Sequence, residues 1–124
     1  MNVKDPSTQL SDIENRIRAC RQCNLHNNRT FGVAGEGPVN ADIVVIGEAP
    51  GDQENRTGKP FIGYSGQLLT QLLQNAGYSR ADTYITNMVK CWVGDGNPDP
   101  KQTEIDTCAP WLDQQLQLIK PKGV

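Results

Sequence analysis

Ala41-Asp42-Ile43-Val44-Val45-Ile46-Gly47 runs directly into Glu48-Ala49-Pro50-Gly51-Asp52. The apolar run is short and β-branched, the pattern of a strand buried on both faces of a parallel sheet. The Glu-Ala-Pro-Gly stretch that ends it is a loop at the carboxyl edge, where open α/β sheets bind ligands. Downstream, Tyr64, Leu68, Leu69, Leu72 and Leu73 recur at helical spacing, and Gly77 closes them. Thr83-Tyr84-Ile85-Thr86-Asn87 reads as a second strand. Lys101 to Ile119 is helical again through Ile105, Cys108, Leu112, Leu116 and Ile119, with Pro110 expected to kink it or start a new turn. Strand, helix, strand, helix is the order of a parallel α/β unit with a right-handed crossover.

Upstream, Leu10, Ile13 and Ile17 make Thr8 to Cys20 an N-terminal helix. It begins at Thr8 or at Ser11, where Ser11-x-x-Glu14 would form a capping box. Residues 24–40 read as an irregular arm rich in Asn and Gly. At the far end, Lys120-Pro121-Lys122-Gly123-Val124 reads as a turn entering a third strand. The chain stops where a doubly wound fold is about half built.

A length of 124 residues holds one domain, residues 1–124. With 36% hydrophobic residues, 12 glycines and 8 prolines, the composition is globular and rich in turns, neither disordered nor coiled-coil. No run of about 18 apolar residues is present to span a membrane. Met1–Asp12 has neither the basic start nor the apolar core of a secretory signal, so the expectation is a cytoplasmic protein, monomeric and away from membranes. A net charge of −2 argues against bulk attraction to nucleic acid. Its distribution is uneven, since Arg16, Arg18, Arg21 and Arg29 stand in a stretch without an acid. On charge alone these arginines read as a solvated helix face.

Cys20, Cys23, Cys91 and Cys108 give C-x2-C, a long gap and C-x16-C. Disulfides fit poorly with a cytoplasmic chain, and the C-x2-C pair is too close for an ordinary structural bridge. A redox dithiol belongs at a helix N-terminus after a strand, whereas Cys20 follows a helix, and it leaves Cys91 and Cys108 unexplained. One shared metal site uses all four thiols. Spacing leaves open whether tetrahedral zinc or a [4Fe–4S] cluster fills it.

Gly58-Lys59-Pro60-Phe61-Ile62-Gly63-Tyr64-Ser65-Gly66 surrounds one aromatic residue with small or rigid ones. That places the Phe61 ring on a loop, suited to stacking on a planar base, with plain core as the competing reading. Asn87 closes the second strand. Its amide carries donors and acceptors in one plane, matching a pyrimidine edge, although such residues commonly just end strands. His26, the single histidine, lies beside the first cysteines and reads as a surface residue or one facing DNA, so no Ser-His or Cys-His machinery is evident.

Taken together, C-x2-C, IGEAPG, GKPFIGYSGQLL, TNMVKC and E-x3-C resemble the family 4, iron–sulfur uracil-DNA glycosylases, in order from about Arg18 to Pro121. The resemblance implies a three-layer αβα fold around a parallel sheet, incomplete here at its C-terminus, with an N-terminal helical arm tied by the cluster. It implies a hydrolase that cleaves the N-glycosidic bond of uracil in single- or double-stranded DNA during base excision repair. Cys20, Cys23, Cys91 and Cys108 would hold a [4Fe–4S] cluster. Gly47, Glu48 and Ala49 would line the uracil pocket, Phe61 would stack on the base, and Asn87 would read its edge. Glu48, Asp52 or Glu54 would position water or pack near the uracil 5-position against thymine. The chain departs from the family in ending before a late histidine motif. It also has Gly94-Asp95-Gly96-Asn97-Pro98 where the family has a Pro-rich stretch with Asn-Arg. Residues 1–124 alone are therefore expected to turn over little. The competing readings are a non-catalytic iron–sulfur module that binds DNA or protein, and a zinc-stapled α/β domain of unrelated function.

Overall fold

The computed structural model describes residues 5–21, 32–94 and 99–124. Its first element, α1 (Pro6–Arg18), starts earlier than either expected position. Asp5 caps it by accepting the Thr8 N–H at 2.8 Å, and Pro6 takes the first helical position, where its missing N–H costs nothing. That bond holds the Asp5 carboxyl below its ordinary range. Ser11 and Glu14 consequently sit inside the helix, and Glu14 turns inward rather than capping.

Two strands follow, β1 (Val44–Gly47) and β2 (Tyr84–Asn87), each shorter than the sequence pattern suggests. They pair in parallel, with Val44 opposite Tyr84 and Gly47 opposite Asn87. Just before β1, Ile43 serves both sides: its carbonyl accepts the Tyr84 N–H of β2 at 3.1 Å, and it forms a parallel bridge with Gly123 on the opposite edge of β1. The outer edge of β2 is covered by the stretch after the arm. Glu36 and Ile85 exchange both backbone bonds, at 2.9 and 2.8 Å, and the Val33 N–H donates to the Lys90 carbonyl at 2.6 Å.

Between the strands lie α2 (Asp52–Thr57) and α3 (Tyr64–Asn75). The sequence DQENRT has no apolar stripe, so α2 carries no periodic signal; it forms because Glu54 accepts the Gly51 N–H at its start and Gly58, at φ 78°, closes its end. On α3 the expected apolar stripe is only partly used. Leu73 is buried, while Tyr64, Leu68 and Leu72 are exposed. The last helix, α4 (Gln102–Ile119), runs unbroken through Pro110, which faces solvent and forfeits one backbone bond.

The main core joins Leu10 of α1, Ala41, Val44 of β1, Tyr84 of β2 and Ile119 of α4. Burial of each large side chain there contributes roughly 1.5–3 kcal/mol, so α1 and α4 form one helical layer against the small sheet. A second cluster, Val89 and Cys91 with Ala49, Val93 and Ile105, sits beyond the carboxyl ends of the strands. Among the described residues no helix is long and apolar enough to cross a membrane.

Candidate active site

Because β1 and β2 are parallel and in register, Gly47 and Asn87 emerge side by side at the same edge. They open into a cavity of about 370 Å³ lined by the Gly47–Gly51 loop, Glu54, Phe61, Ser65, Asn87 and Val93. That volume is in the range of small-ligand sites. Gly47 is the pivot of the arrangement: a Cβ there would run into both the Asn87 Oδ1 and the Phe61 ring. The absent side chain lets an amide and an aromatic ring converge over one residue. The backbone of β2 continues along the same loop, with the Met88 N–H donating to the Gly47 carbonyl at 2.8 Å and Val89 to Glu48 at 2.9 Å.

Phe61 stands on the loop between α2 and α3, partly buried, with φ at +50°. A bulky residue rarely holds that conformation unless its surroundings enforce it. Glu54 supplies part of the enforcement. One carboxylate oxygen accepts the Gly51 N–H at 3.0 Å, and the other accepts Ile62 and Gly63, both at 3.0 Å. The same carboxylate thus ties the pocket loop to the loop carrying Phe61.

The three candidate acids are placed differently. Asp52 points outward and pairs with Arg56 at 2.8 Å, an exposed contact worth at most about 1 kcal/mol. Glu54 is committed to backbone N–H groups. Glu48 borders the cavity, is exposed and, among the described residues, has a carboxylate that meets no hydrogen-bond donor.

Behind the pocket lies a buried polar network that the sequence does not announce. The Lys90 ammonium contacts Thr86 Oγ1 at 2.6 Å, the Asn87 carbonyl at 2.6 Å and Gln115 Oε1 at 2.7 Å. Burial pulls its pKa down to about 7. Gln115 in turn donates to the Ala34 carbonyl at 2.8 Å and to the Tyr84 hydroxyl at 3.0 Å. The Tyr84 hydroxyl donates to Glu14 at 2.8 Å. Desolvation raises the Glu14 carboxyl above its ordinary range, and desolvation together with the Glu14 charge pushes the Tyr84 hydroxyl far up.

Three of the four cysteines fall among the described residues, and Cys23 and His26 lie outside them. Cys91 and Cys108 are buried. The Lys90 backbone N–H approaches Cys108 Sγ at 3.3 Å, and the Trp111 indole N–H approaches Cys20 Sγ at 3.4 Å. Trp111 is one helical turn beyond Cys108, so the end of α1 and the segment after β2 both meet the same part of α4. Two N–H donors aimed at sulfur suit thiolates, and this donor set fits a metal–sulfur group. Among the described residues no three potential ligands are close enough to hold a metal ion. Trp111 was legible only as a residue spaced three from Cys108; Lys90 and Gln115 give no local signal.

Residues 34–124 match the model of the uracil DNA glycosylase superfamily. The chain is 45% identical over 115 residues to the Type-4 uracil-DNA glycosylase of Archaeoglobus fulgidus, covering 93% of this chain and 57% of that protein. It is 46% identical over 113 residues to the Saccharolobus solfataricus Type-4 enzyme, covering 90% and 52%. With the Type-5 uracil-DNA glycosylase of Pyrobaculum aerophilum the identity is 35%, covering 98% and 67%. The chain therefore spans a little over half the length of the Type-4 proteins it resembles.

Proposed function

The chain belongs to the uracil DNA glycosylase superfamily, and from that membership we propose that the protein hydrolyses the N-glycosidic bond of uracil in DNA. The observation that carries the reading is the convergence of Gly47, Phe61 and Asn87 on one cavity. A base inside a duplex is out of reach, so the nucleotide is extruded into the pocket at a cost of a few kcal/mol. Stacking on Phe61 and pairing of the Asn87 amide with the pyrimidine edge offset part of that cost. When the bond between the sugar and uracil N1 breaks, its electron pair leaves with the base. Backbone N–H groups of the loop stabilise the resulting anion, with Glu48 and Ala49 as the donors, since Pro50 has none and that of Gly51 is taken by Glu54. Glu48, which borders the cavity and meets no donor among the described residues, orients the water that attacks the anomeric carbon and takes up its proton. Glu54 holds the two loops together, and Asp52, outside the cavity lining, stays paired with Arg56.

Cys20, Cys23, Cys91 and Cys108 would hold a [4Fe–4S] cluster, which when bound supplies a covalent tie between the arm and the segments around α4. Hydrolysis needs no electron transfer. The reading extends to a three-layer αβα architecture and a cytoplasmic, monomeric protein. Cys108→Ala should lose most bound iron, because a site lacking one thiolate is poorly closed. Unchanged iron, or stoichiometric zinc after anaerobic purification, overturns that assignment.

The test of function is uracil release from a single-stranded oligonucleotide, with contaminating glycosylase blocked by a specific inhibitor. Release that disappears in Asn87→Ala is expected. Where turnover is slow, tighter binding of a uracil oligonucleotide than of its thymine counterpart is the expected result. Binding with no uracil preference and no release overturns the proposal.

A further inference from the structure

The Phe61 loop is held from two sides, and the second side comes from a residue remote in sequence. Arg80 opens the short 3-10 turn Arg80–Asp82 that leads into β2. Its guanidinium donates to the Pro60 carbonyl at 2.8 Å, to the Gly66 carbonyl at 3.1 Å and to Thr70 Oγ1 at 3.2 Å. Pro60 immediately precedes Phe61, and Gly66 lies in the first turn of α3, against which the Phe61 carbonyl is pressed. Glu54 grips the N–H groups just after Phe61, and Arg80 grips the carbonyl just before it. A planar fork with five donors can bridge two carbonyls and a hydroxyl at fixed angles, which a flexible ammonium cannot reproduce.

We infer that Arg80 is a positioning residue for base recognition: by clamping Pro60 and Gly66 it fixes Phe61 in its left-handed conformation, with the ring edge at Gly47 beside Asn87. The inference rests on the glycosylase reading for what the ring does, but not for how it is held. Arg80 does not line the cavity and acts through Phe61. Removing it releases the loop into the ordinary backbone regions that a phenylalanine prefers, and the ring leaves the gap over Gly47.

Two measurements test this. The sequence contains two phenylalanines, Phe31 and Phe61, so incorporation of para-fluorophenylalanine gives two fluorine resonances, assigned with Phe31→Leu. In Arg80→Gln the Phe61 resonance should shift or split while the far-ultraviolet dichroism stays unchanged, and Arg80→Lys should restore it in part. An unmoved resonance in both variants overturns the clamp, and Arg80→Lys keeps the test open if Arg80→Gln does not fold. The second measurement compares binding to a non-hydrolysable uracil oligonucleotide and to its thymine counterpart. Arg80→Gln should cut the uracil preference by ~10-fold through misplacement of the ring, leave thymine binding unchanged, and add nothing in the Phe61→Ala background. Equal losses on both oligonucleotides, or additivity with Phe61→Ala, overturn the positioning role. A wild-type protein that binds both alike, while its fluorine resonance still responds to Arg80, sinks the glycosylase reading and the stacking role with it, leaving the clamp as fold geometry alone.

Discussion

Glu48 and Glu54 are six residues apart and border the same cavity, yet their surroundings assign them opposite work. Glu54 has both oxygens filled by backbone N–H groups, so Glu54→Gln replaces one acceptor with a donor facing another donor. That change should cost about 1–3 kcal/mol of stability, read as a shifted denaturation midpoint. Glu48→Gln should leave the midpoint alone and lower turnover by about 10²–10⁴-fold. Equal midpoint shifts in the two variants would contradict the division. A third acid, Glu14, sets a pH dependence. Desolvation raises its pKa above 4.5, helped by Glu36 and opposed by the Tyr84 hydroxyl and Arg18. The folded chain then holds this proton more tightly than the unfolded one, so the stability it contributes is complete below about pH 4.5 and is lost as pH rises through the folded value. Glu14→Gln keeps an acceptor for Tyr84 without the charge. Its midpoint should be flatter from acid to neutral pH and higher at pH 7, as urea titrations at several pH values will register.

Among the elements, those with an apolar period were readable and those built by a polar contact were not. Val44–Gly47 and Tyr84–Asn87 announce themselves by β-branched residues, and their parallel pairing puts Gly47 opposite Asn87, as the chain order led one to expect. α2 has no stripe, and its existence depends on a carboxylate bonding back to Gly51 and forward to Ile62 and Gly63. α1 starts upstream of its sequence signal because Asp5-Pro6 is a stronger start than a Ser11-x-x-Glu14 pair whose glutamate has a better partner across the core. Arg80 carries no local signal for a related reason, since its carbonyl partners lie 14 and 20 residues away. At the first turn of α3, Gly66 leaves no room for a Cβ beside the Phe61 backbone. Gly66→Ala should raise intrinsic helix propensity and still destabilise, by about 1–3 kcal/mol, while displacing the Phe61 loop. A more stable Gly66→Ala variant with full uracil preference would show that the loop adapts freely.

On the scale of the molecule, one polar chain from Glu14 through Tyr84 and Gln115 to Lys90 joins α1, β2, the 32–36 stretch and α4. Sequence cannot foretell such a network, because each member is an ordinary polar residue until the fold brings them together in a buried space. Gln115→Leu should cost about 2–4 kcal/mol, since it strips an acceptor from a buried ammonium and a donor from the Ala34 carbonyl. Lys90→Met added to it should recover part of the loss, because the stranded charge goes too; a double variant less stable than Gln115→Leu would refute this account. The outer side of β2 is closed in its turn, because Glu36 and Ile85 exchange both backbone bonds. A margin sealed in this way presents no free backbone groups at Ile85 as a template for another chain, so strand addition at that point is blocked.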